Sequence, residues 1–319
     1  VAKTATRTRS SGAKQKPQNK GKNKQKRQLP KPWYERVGFG TWMAVVGVVA
    51  VLVFALLQRG PAVPVGPQAL PVVGADLHSL VVDPDQPSRL FIGSHQGVSV
   101  STDGGESWEV VESLNGADAM GWAFTDDAVL VGGHPGLSVS TDGGKTFELR
   151  NDGLPDTDLH ALGAGDGVIY AASPAAGFIA STDGGATWEV RNEEAGGAFM
   201  GRILVDPSDA EHIIGPDMSA GAAESTDGGR TWEVLGGVQG AMWVSWSPSD
   251  TTDIIVTAVG SAARSTDGGQ SWDAIEIPEG ASIVELSPDD PETLYAAVHE
   301  DSNAALWVST DDGATWEVM

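Results

Sequence analysis

The 319-residue sequence contains no cysteine. That excludes a disulfide framework, a thiolate metal site and a cysteine nucleophile. Tyrosine is nearly absent, at three residues. Basic residues are scarce once the first 36 positions are set aside. Those positions hold 12 of the 20 Lys and Arg and a single acid, Glu35, so the remainder carries 8 basic against 42 acidic residues, a net of −34. A body of that charge is unsuited to neutralising phosphates, which argues against nucleic acid as a partner. It suits solubility and the attraction of cations. Long apolar runs are lacking too, with one exception.

The exception is Val37–Leu57, which has no charged residue. Its 21 residues, at about 1.5 Å each, give roughly 32 Å, the thickness of a bilayer core. Trp33, Tyr34 and Trp42 suit the interfacial belt, and the basic residues ahead of the run orient the N-terminus to the cytoplasm. No small-x-small cleavage motif follows it. The sequence therefore predicts a basic, disordered cytoplasmic tail over 1–36 and an uncleaved signal-anchor helix over 37–58. A Pro-rich stalk over 59–74 follows, marked by Pro61, Pro64, Pro67 and Pro71. The expected location is the cell membrane, single-pass, with the body extracytoplasmic.

The body, 75–319, repeats itself. Ser-Thr-Asp-Gly-Gly begins at Ser101, Ser140, Ser181, Ser225 and Ser265, and Ser-Thr-Asp-Asp-Gly at Ser309. The spacings are 39, 41, 44, 40 and 44 residues. A period near forty marks a repeat fold. Within each unit, short apolar runs are separated by turn residues, and the Asp-Gly pair between two such runs signals a hairpin. Four short strands per unit is a propeller blade, and six units make an all-β six-bladed β-propeller.

Ser-Thr-Asp-Gly-Gly-x-(Ser/Thr)-Trp, as at Ser101–Trp108, Ser181–Trp188, Ser225–Trp232 and Ser265–Trp272, resembles the Asp box of bacterial neuraminidase repeats. Phe147 replaces the Trp in the second copy, and Asp312 replaces the first Gly in the sixth. The resemblance spans the whole body. It covers sialidases, sortilin-type receptors, xyloglucanases and photosystem assembly factors, so it specifies the fold and leaves the function open. It implies structural roles for Asp103, Asp142, Asp183, Asp227, Asp267 and Asp311, which would fasten the turn between the third and fourth strands. It also implies that the box Trp packs between neighbouring blades. A calcium ion in each box would find one carboxylate per turn, too few oxygen ligands.

In a propeller the first strand of each blade lines the channel. The segments before it, and the turns between strands two and three, make the face on which relatives bind ligands. Aligning the first strands as ADLHSL, ADAMGW, TDLHAL, GAFMGR, QGAMWV and EGASIV puts His78, Met120, His160, Met200, Met242 and Ser282 in one column. His95 and His134 fall on the same face, between strands two and three of blades 1 and 2. Met218 and His299 sit at similar points of blades 4 and 6, and His212 on the far side. Imidazole and thioether together point to a soft or borderline metal, copper ahead of zinc. The candidate ligands are His78, Met120, His160, Met200, Met242, His95 and His134. Asp76, Asp118 and Asp158 stand two residues before the column and are candidates to orient the imidazoles from the second shell. Met and His filling an awkward channel is the plainer alternative.

Resemblance to a sialidase would further imply an arginine triad, a Tyr–Glu nucleophile pair and an acidic Asp. Of the body's basic residues only Arg202 falls on an inner strand, and Tyr170 and Tyr295 fall on second strands. A sialic acid carboxylate would meet neither bidentate Arg nor a favourable field. The sequence thus points to a membrane-tethered binding module for a metal, without turnover. Two other classes stay open: a metal-free platform for an extracytoplasmic protein partner, and a glycoside hydrolase acting on a neutral glycan. Short bacterial Asp-box proteins often carry the latter label.

Overall fold

The computed structural model describes residues 68–247 and 249–319. The expected tail and anchor helix, and the stalk up to residue 67, lie outside the described residues. Among the described residues no helix is long and apolar enough to cross a membrane.

The chain is a six-bladed β-propeller. Blade 1 is β1 (Ser79–Val82), β2 (Leu90–Ser94), β3 (Gly97–Ser101) and β4 (Glu109–Val110). Blade 2 is β5 (Gly121–Thr125), β6 (Ala128–Gly133), β7 (Gly136–Ser140) and β8 (Glu148–Leu149). Blade 3 is β9 (Ala161–Gly165), β10 (Val168–Ser173), β11 (Gly177–Ser181) and β12 (Glu189–Asn192), joined by a short β13 (Gly201–Arg202). Blade 4 is β14 (Leu204–Asp206), β15 (Asp209–Asp217), β16 (Gly221–Ser225) and β17 (Glu233–Gly236). Blade 5 is β18 (Trp243–Ser247), β19 (Asp250–Ala258), β20 (Ser261–Ser265) and β21 (Asp273–Ile275). Blade 6 is β22 (Ala281–Leu286), β23 (Leu294–Glu300), β24 (Asn303–Ser309) and β25 (Glu317–Val318). Strands within each blade pair antiparallel in chain order, apart from β13, which runs parallel to β9.

The three inner strands of a blade are covered on both faces by neighbouring blades. They therefore read as near-continuous runs of Val, Ile, Leu, Ala and Gly rather than as alternating patterns. All residues of β1, β2 and β18 are buried. The fourth strands are short and largely exposed, as in Glu148–Leu149 and Glu317–Val318. Core clusters form between consecutive blades: Leu130, Leu162 and Ile179 join blades 2 and 3, and Ile214, Val244 and Val256 join blades 4 and 5.

The six Asp-containing turns share one geometry. In the first, Ser101 Oγ donates to Asp103 Oδ1 (2.8 Å) and accepts from Gly105 N (2.8 Å). Asp103 accepts from Ser107 N (2.9 Å) and Ser107 Oγ (2.6 Å). Equivalent Ser–Asp and Asp–Ser/Thr bonds recur at Asp142, Asp183, Asp227, Asp267 and Asp311. These carboxylates spend their lone pairs on their own turn. The aromatic residue ending the motif reaches the preceding blade: Trp232 meets Phe178 edge to face and packs at a tilt against Phe199, and Trp272 Nε1 donates to Leu235 O.

Two features differ from the sequence expectation. The stalk read as running to residue 74 already belongs to the propeller from residue 68. Gln68 and Trp108 exchange backbone hydrogen bonds on blade 1, Val73 N and Gly74 N donate to Ser302 O, and Ala304 N donates to Pro71 O on blade 6. This strap spans the seam between the first and last blades. It leaves each blade with its own four strands and adds only single bridges at Gln68 and Val72. The second difference is in blade 4. Its expected first strand, GAFMGR, is broken: Phe199 makes a single bridge to Asp217 of blade 4, Gly201–Arg202 pairs with blade 3, and the continuous pairing with blade 4 begins at Leu204–Asp206. Gly201 has φ +69, and a Cβ there would lie 2.7 Å from Met242 O, so the backbone can pass only as glycine.

Candidate metal centre

The column of the repeat sits one residue ahead of the innermost strand in four blades, rather than within it as expected. His78 N donates to Gly93 O, Met120 N to Gly132 O, His160 N to Ala172 O and Met242 N to Thr257 O. One backbone bond to the second strand therefore sets the same slot in four blades. Ser282, in contrast, lies inside β22. Met200 precedes β13 and is carried away from the common register by the break at Gly201.

His95 and His134 occupy the turns between second and third strands, beside the slots of blades 1 and 2. Asp76 Oδ1 accepts from His95 N (3.0 Å), which ties the segment before blade 1 to that turn. Asp118 N donates to His134 O (2.8 Å), the corresponding tie in blade 2. That contact depends on Gly133, where a Cβ would come within 1.7 Å of Asp118 O.

These ties gather four imidazoles and three carboxylates into one strip across blades 1 to 3. In the first group, His78 Nε2 lies 2.7 Å from His95 Nδ1 and 3.4 Å from Asp76 Oδ2, and His95 Nδ1 also touches Asp76 Oδ2. In the second, Asp158 Oδ1 lies 2.9 Å from His134 Nε2 and 2.9 Å from His160 Nε2. Within each triad the ligand atoms all lie within 4.8 Å of one another. Asp118 stands between the groups, its Oδ2 3.3 Å from His95 Nε2 and 3.1 Å from His134 Nδ1. Its side chain is 4% exposed, whereas His95 and His134 are 55% and 54% exposed. The strip thus has a buried floor and an open upper side.

Hydrogen bonding accounts for only part of these contacts. Asp158 Oδ1 is buried and has no aligned hydrogen bond despite two nitrogens at 2.9 Å. Asp118 Oδ1 is buried and unpartnered, 3.9 Å from His78 Nε2. His95 Nδ1 carries at most one proton yet faces both an imidazole nitrogen and a carboxylate oxygen. Ring nitrogens and carboxylate oxygens that can each offer a lone pair, converging this closely, are an arrangement that suits a cation. Burial pushes the His78 imidazole below its usual value, and the His95 ring adds to that, against the upward pull of Asp118 and Asp76. A neutral ring is the ligand form. Burial would raise Asp76, but the backbone and ring of His95 and the charge of His78 outweigh it and hold the carboxyl below the usual range.

Each residue singled out in the sequence can now be located. His78, His95, His134 and His160 come together with Asp76, Asp118 and Asp158. The aspartates stand level with the rings rather than behind them, apart from Asp118. Met120 and Met242 keep to the slot in their own blades, Met200 lies outside the common register, and the contacts of the strip described above are to nitrogen and oxygen. His212 lies apart, between Asp206 Oδ2 (2.9 Å) and Glu224 Oε1 (2.8 Å). His299 Nε2 bonds the strap at Gly74 O (3.0 Å). Met218 is exposed on the turn after β15.

One polar group in the channel escaped the sequence reading. Glu285 on β22 is 2% exposed, pairs with Arg202 and accepts from Trp243 Nε1 (2.9 Å). A lone acid in the otherwise apolar ASIVEL run was the available signal. A depression of about 600 Å³ opens among the first-to-second-strand turns, opposite the imidazoles, beside Asp85, Asp126, Asp127 and Asp166. Those carboxylates are all exposed.

No protein-family model and no curated protein matches the sequence. Among solved structures, a GH74 xyloglucanase from Xanthomonas campestris matches with TM-score 0.55 at 18% identity, covering 80% of this chain and 47% of that one. YCF48 bound to a D1 peptide matches with TM-score 0.52 at 17% identity, covering 81% and 86%. PorZ, a surface component of the type-IX secretion system of Porphyromonas gingivalis, matches with TM-score 0.51 at 13% identity, covering 78% of this chain and 33% of that one. The chain spans about half the length of the xyloglucanase. At these identities the likeness defines the class, a β-propeller, and not an activity.

Proposed function

We propose that this protein is a membrane-tethered, extracytoplasmic propeller that binds a divalent transition metal on the face of blades 1 to 3, for capture or delivery rather than turnover. The observation that carries the proposal is the convergence of ligand atoms that hydrogen bonding leaves unexplained, above all Asp158 Oδ1 between His134 and His160. Nitrogen and oxygen donors favour Cu(II), with Zn(II) next, over the Cu(I) that the Met slots alone would suggest. The strongly acidic body would concentrate cations near the site. The uncharged run Val37–Leu57 supports the tether.

A glycosidase needs a carboxylic acid with a raised pKa. Asp76 is held in the opposite direction, and Asp118 and Asp158 are each committed to imidazoles. The metal-free interaction platform draws support from YCF48, which was solved with a peptide bound. Elemental analysis separates these readings. The full chain, purified without a chelating tag, is loaded with Cu(II) or Zn(II), dialysed and compared with a His78→Ala/His160→Ala variant. Metal retained by the wild type and lost from the variant is the expected result. No metal above background in the wild type overturns the proposal and leaves the platform.

A further inference from the structure

We infer that the strip holds two metal ions, one in each triad, coupled through Asp118 as a shared positioning carboxylate. This rests on the metal-binding function proposed above. The first position takes Asp76 Oδ2, His78 Nε2 and His95 Nδ1, and the second takes His134 Nε2, Asp158 Oδ1 and His160 Nε2. Each group is closed on itself, with its own carboxylate.

The imidazole geometry assigns the link. His95 turns Nδ1 into the first group and Nε2 toward Asp118 Oδ2 at 3.3 Å. His134 turns Nε2 into the second group and Nδ1 toward the same oxygen at 3.1 Å. A ring that ligates through one nitrogen donates from the other, and a carboxylate in that place fixes tautomer and orientation. Asp118 does this for two rings that belong to two different groups. Its buried negative charge offsets the repulsion between two dications. Its second oxygen, unpartnered and buried, lies on the side of His78 and adds a donor to the first position. A single ion would leave one triad, and that orphaned oxygen or Asp158 Oδ1, without a partner.

The upper side of the strip is open, since His95 and His134 are more than half exposed. Each ion keeps positions for water or for a bridging oxyanion. Entry and exit of the metals need no movement of the blades.

The test is a Zn(II) titration of the full chain, read by calorimetry and by elemental analysis after gel filtration. Two Zn(II) per wild-type chain are expected, one for His78→Ala and one for His160→Ala. Asp118→Asn keeps the acceptor shape without the charge. It should still hold two ions, with both affinities weakened by about 10–100-fold. Cu(II) at two equivalents should give a dipolar-broadened electron paramagnetic resonance spectrum that sharpens in either His variant. One Zn(II) per wild-type chain, or loss of all binding in either single His variant, overturns the two-ion site while leaving a single-ion function standing. Weakening of only one position in Asp118→Asn overturns its shared role. No binding at all removes the proposed function as well. Thermal melts of each variant separate unfolding from loss of ligands, and the two His variants test the stoichiometry even if Asp118→Asn fails to fold.

Discussion

Replacing Arg202 by Met should destabilise the propeller, and by more at neutral pH than in mild acid. Arg202 and Glu285 are 83 residues apart and meet where β13 and β22 face the channel. Glu285 is fully buried and burial raises its pKa, against the downward pull of Arg202 first and of Trp243 and Ser245 after it. Removing the guanidinium leaves an uncompensated charge, which costs about 3–5 kcal/mol for a fully buried pair. Arg202 keeps 20% of its side-chain exposure, so the lower end, about 3 kcal/mol, is expected. For a domain of this size that lowers Tm by roughly 6–12 °C. The variant can escape by protonating Glu285. A carboxyl whose folded pKa lies above its unfolded value contributes stability below the unfolded value and loses it as pH rises through the folded one. The deficit of Arg202→Met against wild type should therefore be small near pH 4.5 and grow as pH rises to 7.5. Glu285→Gln added to Arg202→Met keeps an acceptor for Trp243 Nε1 without a charge, so the double variant should melt above Arg202→Met at pH 7.5. Melts followed by circular dichroism at several pH values give all these quantities. An Arg202→Met melt matching wild type at pH 7.5, or a deficit independent of pH, would refute the reasoning.

The turn carboxylates set the opposite trend at lower pH. Hydrogen bonds from Ser107, Thr187 and Ser271 hold Asp103, Asp183 and Asp267 at about 2. Depressed carboxyls contribute stability above their unfolded value and lose it as pH falls through the folded one. Their contribution to Tm should hold down to about pH 4 and fall between pH 4 and pH 2, and Asp183→Asn should flatten that fall; an unchanged Tm down to pH 2 would contradict the assignment. Gly133→Ala should part Asp118 from the His134 turn, costing roughly 1–3 kcal/mol and weakening metal retention, whereas retention equal to wild type in a folded Gly133→Ala would show that the close approach does not position the site.

The ring and its repeats were legible because their determinants are local. The Ser–Asp and Asp–Ser/Thr bonds within each Asp-containing turn join residues no more than four apart, so the motif carries much of its own geometry in eight letters. The His strip was legible for a related reason. His78 and His160 share one slot, and His95 and His134 share another, so the period itself placed them on one face. What escaped depends on contacts that only the closed ring creates. Nothing in Leu70–Val73 announces that Ser302 lies beside it. Nothing in GAFMGR announces that Gly201 will adopt φ +69 and hand its strand to blade 3. The Arg202–Glu285 pair joins segments that only the completed ring brings together. The three aspartates were visible as a pattern, but spacing alone could not tell a ligand from a group behind one. That distinction came from which ring nitrogen each oxygen faces.

The repeat also separates what the fold needs from what it does not. The position held by Asp76, Asp118 and Asp158 in blades 1 to 3 is held by Ala198, Gly240 and Gly280 in blades 4 to 6. There the blades close around a methyl group or none, with Gly240 and Gly280 at positive φ, so a blade of this propeller can be built without a carboxylate at this point. In blade 2 the carboxylate is nonetheless buried, with one oxygen lacking a hydrogen bond. A buried polar atom without a partner costs free energy, and more so when it belongs to an anion. Blades 2 and 3 bear that cost, at Asp118 Oδ1 and Asp158 Oδ1, at a slot that blades 4 to 6 fill without a carboxylate. Local rules broken in this way, in a scaffold that satisfies them elsewhere, mark a functional site. A cation beside these oxygens would turn the unfavourable burial into ligation, and on the proposed function that would account for the asymmetry between the two halves.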